Sequence, residues 1–221
     1  MLLSPHPDDL LFSAFSALSQ EGTTKVAIDY FNVSKFTRWG LLPTSLVTPW
    51  RMLEETIIMG VYGVKPRFLF LRDMTTELED DKSHRAIPRI SSLVRGIPKS
   101  IYCPLGVGGN RDHLLVRLSA IDFWKQCRTE PSLFFYEDLP YAARDTIEGY
   151  SVPDSIREIE KSVSALKPQY HPISEEGIRR KAKLCRAYTS QTDHGPLLAG
   201  YAKKLGKECA SDFAEKYYLA E

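Results

Sequence analysis

Short apolar stretches alternate with longer segments of helical spacing, and this alternation constrains the fold more than any other feature. Stretches typical of buried strands, rich in β-branched and aromatic residues, lie at 1–3, 25–31, 67–71, 100–103 and 132–136. The intervening segments 10–20, 50–62, 84–95 and 113–126 place apolar residues at helical spacing. Continuous apolar strands alternating with helices predict a mostly parallel sheet with helices on both faces. The sequence therefore predicts a Rossmann-like α/β fold.

The C-terminal third of the chain has a different pattern. After Tyr136 the strand signal fades, and the segments 174–191 and 196–219 look helical. We therefore expect C-terminal helical additions to the α/β sheet. At 221 residues one hydrophobic core can still grow without splitting. The prediction is a single domain covering residues 1–221.

Composition and charge exclude several classes of function. A formal net charge of +1 gives no basic surface of the kind that neutralises phosphates, so no nucleic-acid partner is expected. The apolar stretches are far shorter than the roughly 20 residues of a membrane helix, so no membrane partner is expected. No secretory leader is recognisable, which favours a cytoplasmic protein. The four cysteines are widely separated without a Cys-x-x-Cys pair and are interpreted as reduced thiols.

Polar residues follow the first strand in the stretch SPHPDD, residues 4–9. An Asp here could cap the next helix, and one Asp would need no other explanation. Two adjacent carboxylates beside a histidine need more, because desolvating them is costly unless hydrogen bonds or a cation compensate. A bound cation is the economical explanation. A turn between strand and helix can bring His6 and Asp9 together as two of its ligands.

The third ligand must come from another loop at the same edge of the sheet. A catalytic zinc takes three protein ligands of the His and carboxylate kind and keeps a fourth position for water. His113 follows the glycine-rich loop 106–109 after the strand at 100–103, which ends at that edge. The loop lacks the spacing of a dinucleotide fingerprint, so its glycines are interpreted as permitting a tight turn. His84, His171 and His194 are weaker candidates.

Four motifs in register extend this interpretation. They are PHPDD (5–9), GGNRDH (108–113), YEDLPYA (136–142) and YTSQ (188–191). Together they resemble the LmbE-like, or PIG-L, family of zinc-dependent N-deacetylases. The resemblance implies that His6, Asp9 and His113 bind Zn²⁺, with Fe²⁺ as an alternative metal, and that Asp8 is the general base.

The same resemblance implies an activity. The expected enzyme removes an N-acetyl or related N-acyl group from an amino-sugar-containing small molecule or glycoside, with metal-bound water as the nucleophile. Zinc can lower the pKa of bound water towards about 7 and polarise the amide carbonyl. Without a predicted membrane helix, the chain is most similar to bacterial members that lack one. A homo-oligomer remains open at this point.

Two positions depart from the family pattern. Leu10 stands where the family commonly has Glu, and Asn110 stands where it commonly has a second histidine. Asn110 can donate a hydrogen bond to an oxyanion but cannot carry charge or shuttle a proton. These differences leave open an active enzyme, a changed substrate, or a metal-binding scaffold protein with weak or lost catalysis. Asp112 is expected either to support the metal ligands from behind or to cap a helix.

Three further residues are candidate substrate contacts. Arg51 lies in RMLEE (51–55), which resembles an Arg-x-x-Glu helix of the family, and could bind a substrate hydroxyl or anionic group. Its alternative is a surface ion pair with Glu54 or Glu55. Glu137 and Asp138 follow the strand at 132–136 and are expected to line the pocket, or else to belong to a capped loop.

Overall fold

A computed structural model describes residues 1–73, 88–127, 131–144 and 150–221. Seven strands form one sheet in the order β5-β2-β1-β6-β7-β9-β8, and β3 and β4 form a separate hairpin. The strands are β1 (Leu2–Ser4), β2 (Ala27–Val33), β3 (Phe36–Thr37), β4 (Gly40–Leu41), β5 (Pro66–Arg72), β6 (Ser100–Pro104), β7 (Ser132–Tyr136), β8 (Leu166–Ile173) and β9 (Phe213–Ala220).

Helices occupy the connections between these strands. They are α1 (Asp9–Ser13), α2 (Phe15–Ser19), α3 (Thr44–Gly60), α4 (Ile90–Leu93), α5 (Arg111–Gln126), α6 (Tyr141–Arg144), α7 (Val152–Ile159), α8 (Glu175–Cys185) and α9 (Gly195–Glu208). The helix predicted at 10–20 is divided at Ala14, whose backbone leaves the helical region. His84 and the start of the helix predicted at 84–95 lie outside the described residues. Within the described ranges no helix is long and apolar enough to cross a bilayer.

The parallel sheet predicted from the strand pattern is confirmed. β5, β2, β1, β6 and β7 pair in parallel, with Leu3 opposite Ile28 and Ile101 opposite Leu133. These four side chains are completely buried, as continuous apolar strands covered on both faces require. After β1 the chain forms β2 and β5 on one side of that strand, and it later forms β6 and β7 on the other side. The order therefore reverses between β1 and β6, and in such sheets this crevice is where ligands bind.

The prediction of purely helical C-terminal additions is wrong. β9 pairs antiparallel with β7, and β8 pairs antiparallel with β9, so two strands extend the sheet. The segment 196–219 combines most of α9 with most of β9, a strand in which Tyr217 and Tyr218 are buried. Pro168 and Pro172 lie in β8, and prolines at these positions argue against a strand when only the sequence is considered. Proline is tolerated there because β8 forms the edge of the sheet.

Candidate active site

The polar residues predicted to converge lie at the crevice between β1 and β6. His6, Asp8 and Asp9 follow β1, and His113 lies in the first turn of α5, after the glycine-rich loop that follows β6. All four residues are buried, with exposed fractions of 8%, 7%, 6% and 1%. Leu10, which follows Asp9 in the sequence, is completely buried in the hydrophobic core. The apolar residue that departs from the family pattern thus packs in the core.

Three side chains present one ligand atom each to a common point. The Nδ1 atom of His6 lies 3.3 Å from Oδ2 of Asp9, and Nε2 of His113 lies 3.5 Å from the same oxygen. In a tetrahedron with metal–ligand bonds of about 2.0–2.1 Å, neighbouring ligand atoms lie about 3.3–3.4 Å apart. The separations and the donor chemistry therefore fit a divalent ion held by two imidazoles and one carboxylate.

Two buried carboxylates hold the outer sides of the imidazole rings. Nε2 of His6 lies 2.9 Å from Asp112, and Nδ1 of His113 lies 2.5 Å from Asp138. In a neutral imidazole, a ring nitrogen that donates to a carboxylate leaves the opposite nitrogen without a proton, so these pairs would direct unprotonated nitrogens towards an ion bound beside Asp9. Burial lowers the pKa of His6, but Asp112 and Asp9 outweigh it, so that the pKa is raised well above its usual value.

Asp138 lies behind His113, closed off from solvent. Its side chain is fully buried. Besides the His113 contact, its carboxylate accepts hydrogen bonds from the backbone N–H groups of Gly106 (2.7 Å) and Val107 (2.9 Å). Gly106 has a φ of 86°, and a Cβ there would lie 2.7 Å from Leu114. The tight turn expected of the glycine-rich loop is present, and it brings two N–H groups to Asp138. The expectation that Asp138 lines the pocket is corrected accordingly.

Asn110, and not Asp112, caps α5. The Asn110 side-chain oxygen accepts a hydrogen bond from the Asp112 N–H at 3.0 Å. The helix-cap alternative for Asp112 is therefore wrong, because its completely buried carboxylate faces His6 instead. Asp73, which the sequence reasoning missed, also approaches that imidazole, at 4.0 Å. It follows β5 at the same edge of the sheet, a position that the strand pattern could have indicated.

Asp8 lies beside the three candidate ligands in an unusual backbone conformation. Its φ is 106°, a region that residues with a side chain rarely adopt, and its N–H donates to Glu55 at 3.2 Å. Arg51 donates to the Pro7 carbonyl at 3.0 Å and lies 3.4 Å from the Asp8 carboxylate. Burial raises the pKa of Asp8 to about 7, against the opposing effect of the Arg51 guanidinium.

The surface ion pair considered for Arg51 is wrong. Arg51 is buried, with 5% exposed, and its partner is Asp8. Glu54 instead accepts hydrogen bonds from Thr189 (2.6 Å) and from the Ser190 N–H (3.0 Å) and hydroxyl. Arg51 thus contacts the candidate general base rather than solvent.

The turn at 188–190 supports the site through α3, a role that the sequence reasoning missed. Tyr188 donates its hydroxyl proton to Glu55, which in turn accepts the Asp8 N–H. Burial raises the pKa of Glu55 to about 8. The YTSQ motif was the available signal, since it contains the side chains that donate hydrogen bonds to Glu54 and Glu55.

Glu137 faces another part of the protein. Its carboxylate accepts hydrogen bonds from Tyr201 (2.7 Å) and Tyr218 (2.9 Å) and lies 3.7 Å from Lys216. These partners belong to α9 and β9. The expectation that Glu137 lines the pocket is therefore corrected.

A comparison with known sequences gives a deacetylase as a relative. No family model matches the chain. The 2'-N-acetylparomamine deacetylase of Streptomyces fradiae is 28% identical over 219 residues, covering 87% of this chain and 73% of that protein.

Two solved structures share the fold. The A40926 pseudoaglycone deacetylase Dbv21 has a TM-score of 0.77 and 21% identity, covering 100% of this chain and 96% of that one. The zinc-inhibited form of teicoplanin deacetylase Orf2 has a TM-score of 0.74 and 17% identity, covering 100% and 97%. At such identities the structural likeness establishes the α/β fold, while all three of these proteins are deacetylases.

Proposed function

We propose that the protein is a metal-dependent N-deacetylase, which hydrolyses the N-acetyl or related N-acyl group of an amino-sugar-containing small molecule. The observation that carries this proposal is the buried set of His6, Asp9 and His113 with Asp8 beside it, at the crevice where the sheet order reverses. The sequence relative that deacetylates N-acetylparomamine supports the reaction class. The substrate, the acyl group and a cytoplasmic location remain predictions.

The residues that would hold the ion are His6 through Nδ1, Asp9 through its carboxylate and His113 through Nε2. Two imidazoles and one carboxylate suit Zn²⁺, and the same donor set also suits Fe²⁺. A divalent ion bound there would supply water activation at neutral pH and polarisation of the amide carbonyl. We propose zinc as the resident ion.

Asp8 is the proton carrier in this proposal. A general base works best when its pKa lies near the operating pH, and burial raises the pKa of Asp8 to about 7. Its carboxylate would take a proton from the attacking water and return it to the leaving amine. Arg51 fixes the orientation of that carboxylate, and Glu55 fixes the backbone that carries it.

Asn110 is assigned to the amide oxygen of the substrate. Its own side-chain oxygen accepts the Asp112 N–H, which leaves the amide nitrogen Nδ2 as the donor of this side chain. Tyr141 contacts Asn110 and packs edge-on against the His113 ring, with 6.0 Å between ring centroids. The Asn110 amide and the Tyr141 hydroxyl are therefore the donors that we propose for the developing oxyanion.

The rival function is a metal-binding scaffold without efficient turnover, motivated by Asn110 and Leu10 in place of the family's polar residues. Metal analysis and release of free amine from N-acetylated aminoglycosides and N-acetylglucosamine glycosides distinguish the two. For the enzyme we expect turnover that falls by about 10²–10⁴-fold in Asp8→Ala while the metal is retained. Stoichiometric metal without amine release across the panel would favour the scaffold.

A further inference from the structure

An apolar surface extends from the β3–β4 hairpin onto the start of α3. Trp39 and Leu41 on the hairpin are 56% and 66% exposed, and Leu46 on the helix is 62% exposed. The Trp39 ring stacks on Trp50 of α3, with 5.2 Å between centroids and 24° between planes, so hairpin and helix form one surface. We call these residues, together with Phe36 and Leu42, the hairpin surface. Contiguous apolar surface of this kind usually marks a binding site.

The hairpin surface lies at the edge of the sheet that carries the candidate active site. The hairpin connects β2 to α3, and β2 is the neighbour of β1, whose following loop carries His6 and Asp9. The Arg38 N–H donates to the Ser190 carbonyl at 2.8 Å, which fastens the hairpin to the turn that holds Glu54. The surface and the site thus share one supporting turn.

Helix geometry places the two functions on adjacent faces of α3. Successive helical residues are rotated by about 100°, so Trp50 and Arg51 face different directions. Arg51 points inward and contacts Asp8, while Trp50 contacts the exposed hairpin. Through these successive residues of α3, the hairpin surface is joined to the element that contacts Asp8.

We propose that the hairpin surface binds an apolar, aromatic aglycone attached to the amino sugar, so that the substrate is an amphipathic glycoside rather than a free sugar. This inference rests on the proposed deacetylase function. Rigid indole rings offer a large apolar contact at small entropic cost, and they stack well on other aromatic rings. The surface is joined to the candidate site through the Arg38–Ser190 hydrogen bond and through Trp50, the neighbour of Arg51, which favours the substrate as the occupant.

The test compares the naphthyl and methyl glycosides of N-acetylglucosamine by release of free amine. In the wild type we expect kcat/KM to be about tenfold higher for the naphthyl glycoside, through a lower KM. In Trp39→Ser that preference falls to about one, and in Trp39→Phe it is largely retained. Ile57→Ser is the matched control, since it also removes an exposed apolar side chain of α3 but lies farther along the helix.

The outcomes separate this inference from the proposed function. Equal kcat/KM for both glycosides in the wild type, or an undiminished preference in Trp39→Ser, would overturn the aglycone site while leaving the deacetylase standing. A dimer in sedimentation that Trp39→Ser dissociates, without any preference, would assign the surface to a second copy instead. If no glycoside releases amine, the proposed function fails. Equilibrium binding of the naphthyl glycoside, followed by tryptophan fluorescence, then tests the surface by itself: weaker binding to Trp39→Ser than to the wild type supports the aglycone site, and equal binding overturns it.

Discussion

Asp138→Asn tests whether the buried carboxylate behind His113 sets the ligand atom that faces Asp9. The Asp138 carboxylate contacts His113 Nδ1 at 2.5 Å and accepts two backbone N–H groups of the glycine-rich loop. An asparagine has one acceptor oxygen. If that oxygen keeps the loop N–H groups, the amide NH₂ faces Nδ1 and favours the imidazole tautomer protonated on Nε2. That proton would occupy the position from which His113 is proposed to bind the metal.

We expect Asp138→Asn to weaken metal binding. Loss of a residue that hydrogen-bonds to a metal ligand typically reduces metal affinity by about 10–100-fold, or about 1.4–2.7 kcal/mol. Zinc affinity is measured by competition with a chromophoric chelator, and circular dichroism verifies that the variant folds. Glu137→Gln is the matched control, because it removes the carboxylate next to Asp138 in the sequence, which accepts hydrogen bonds from Tyr201 and Tyr218. Affinity of Asp138→Asn within twofold of the wild type, or an equal loss in Glu137→Gln, would refute the reasoning.

Two further predictions concern stability. Lys181→Met should lower the free energy of unfolding by about 3–5 kcal/mol in urea denaturation, because the buried Lys181 ammonium lies 2.6 Å from Glu215, whose charge would be left unpaired. Lys161→Ala, which breaks an exposed pair, should leave the urea midpoint nearly unchanged, and equal midpoints for the two variants would contradict this. Burial lowers the pKa values of His171 and His194, so below about pH 6.5 these two histidines bind more protons in the unfolded chain than in the folded one, and their own contribution to stability falls with the pH. Replacing both histidines by Asn should therefore raise the melting temperature relative to the wild type more at about pH 5.5 than at about pH 7, and a difference that does not change with pH would disprove this assignment.

The parallel half of the sheet could be predicted because its strands are buried on both faces and are therefore apolar throughout. The strand at 100–103 and the glycine-rich loop also placed His113 at the correct edge. β8 and β9 escaped prediction for a different reason. Pro168 and Pro172 interrupt one strand, and the helical spacing of α9 continues without an evident break towards Phe213. Only pairing with β7 and β8 makes the last segment a strand.

Local spacing predicted that His6, Asp9 and His113 could meet, but not which residues contact the far sides of the two imidazole rings. The roles of Asp112 and Asp138 depend on contacts that span 106 and 25 residues of sequence. Arg51 looked like a surface residue because charged residues on helices usually are, and its burial against Asp8 depends on how α3 packs. The side to which Glu137 points required the register of β7 with β9.

The most direct measurement is a titration of the metal-free protein with zinc, following bound metal and amine release from an N-acetylated amino-sugar glycoside together. We predict that activity rises in proportion to bound zinc and stops at about one equivalent, and that His113→Gln neither binds the ion tightly nor recovers activity. Full activity without metal, or His113→Gln that binds one equivalent and turns over normally, would contradict the account.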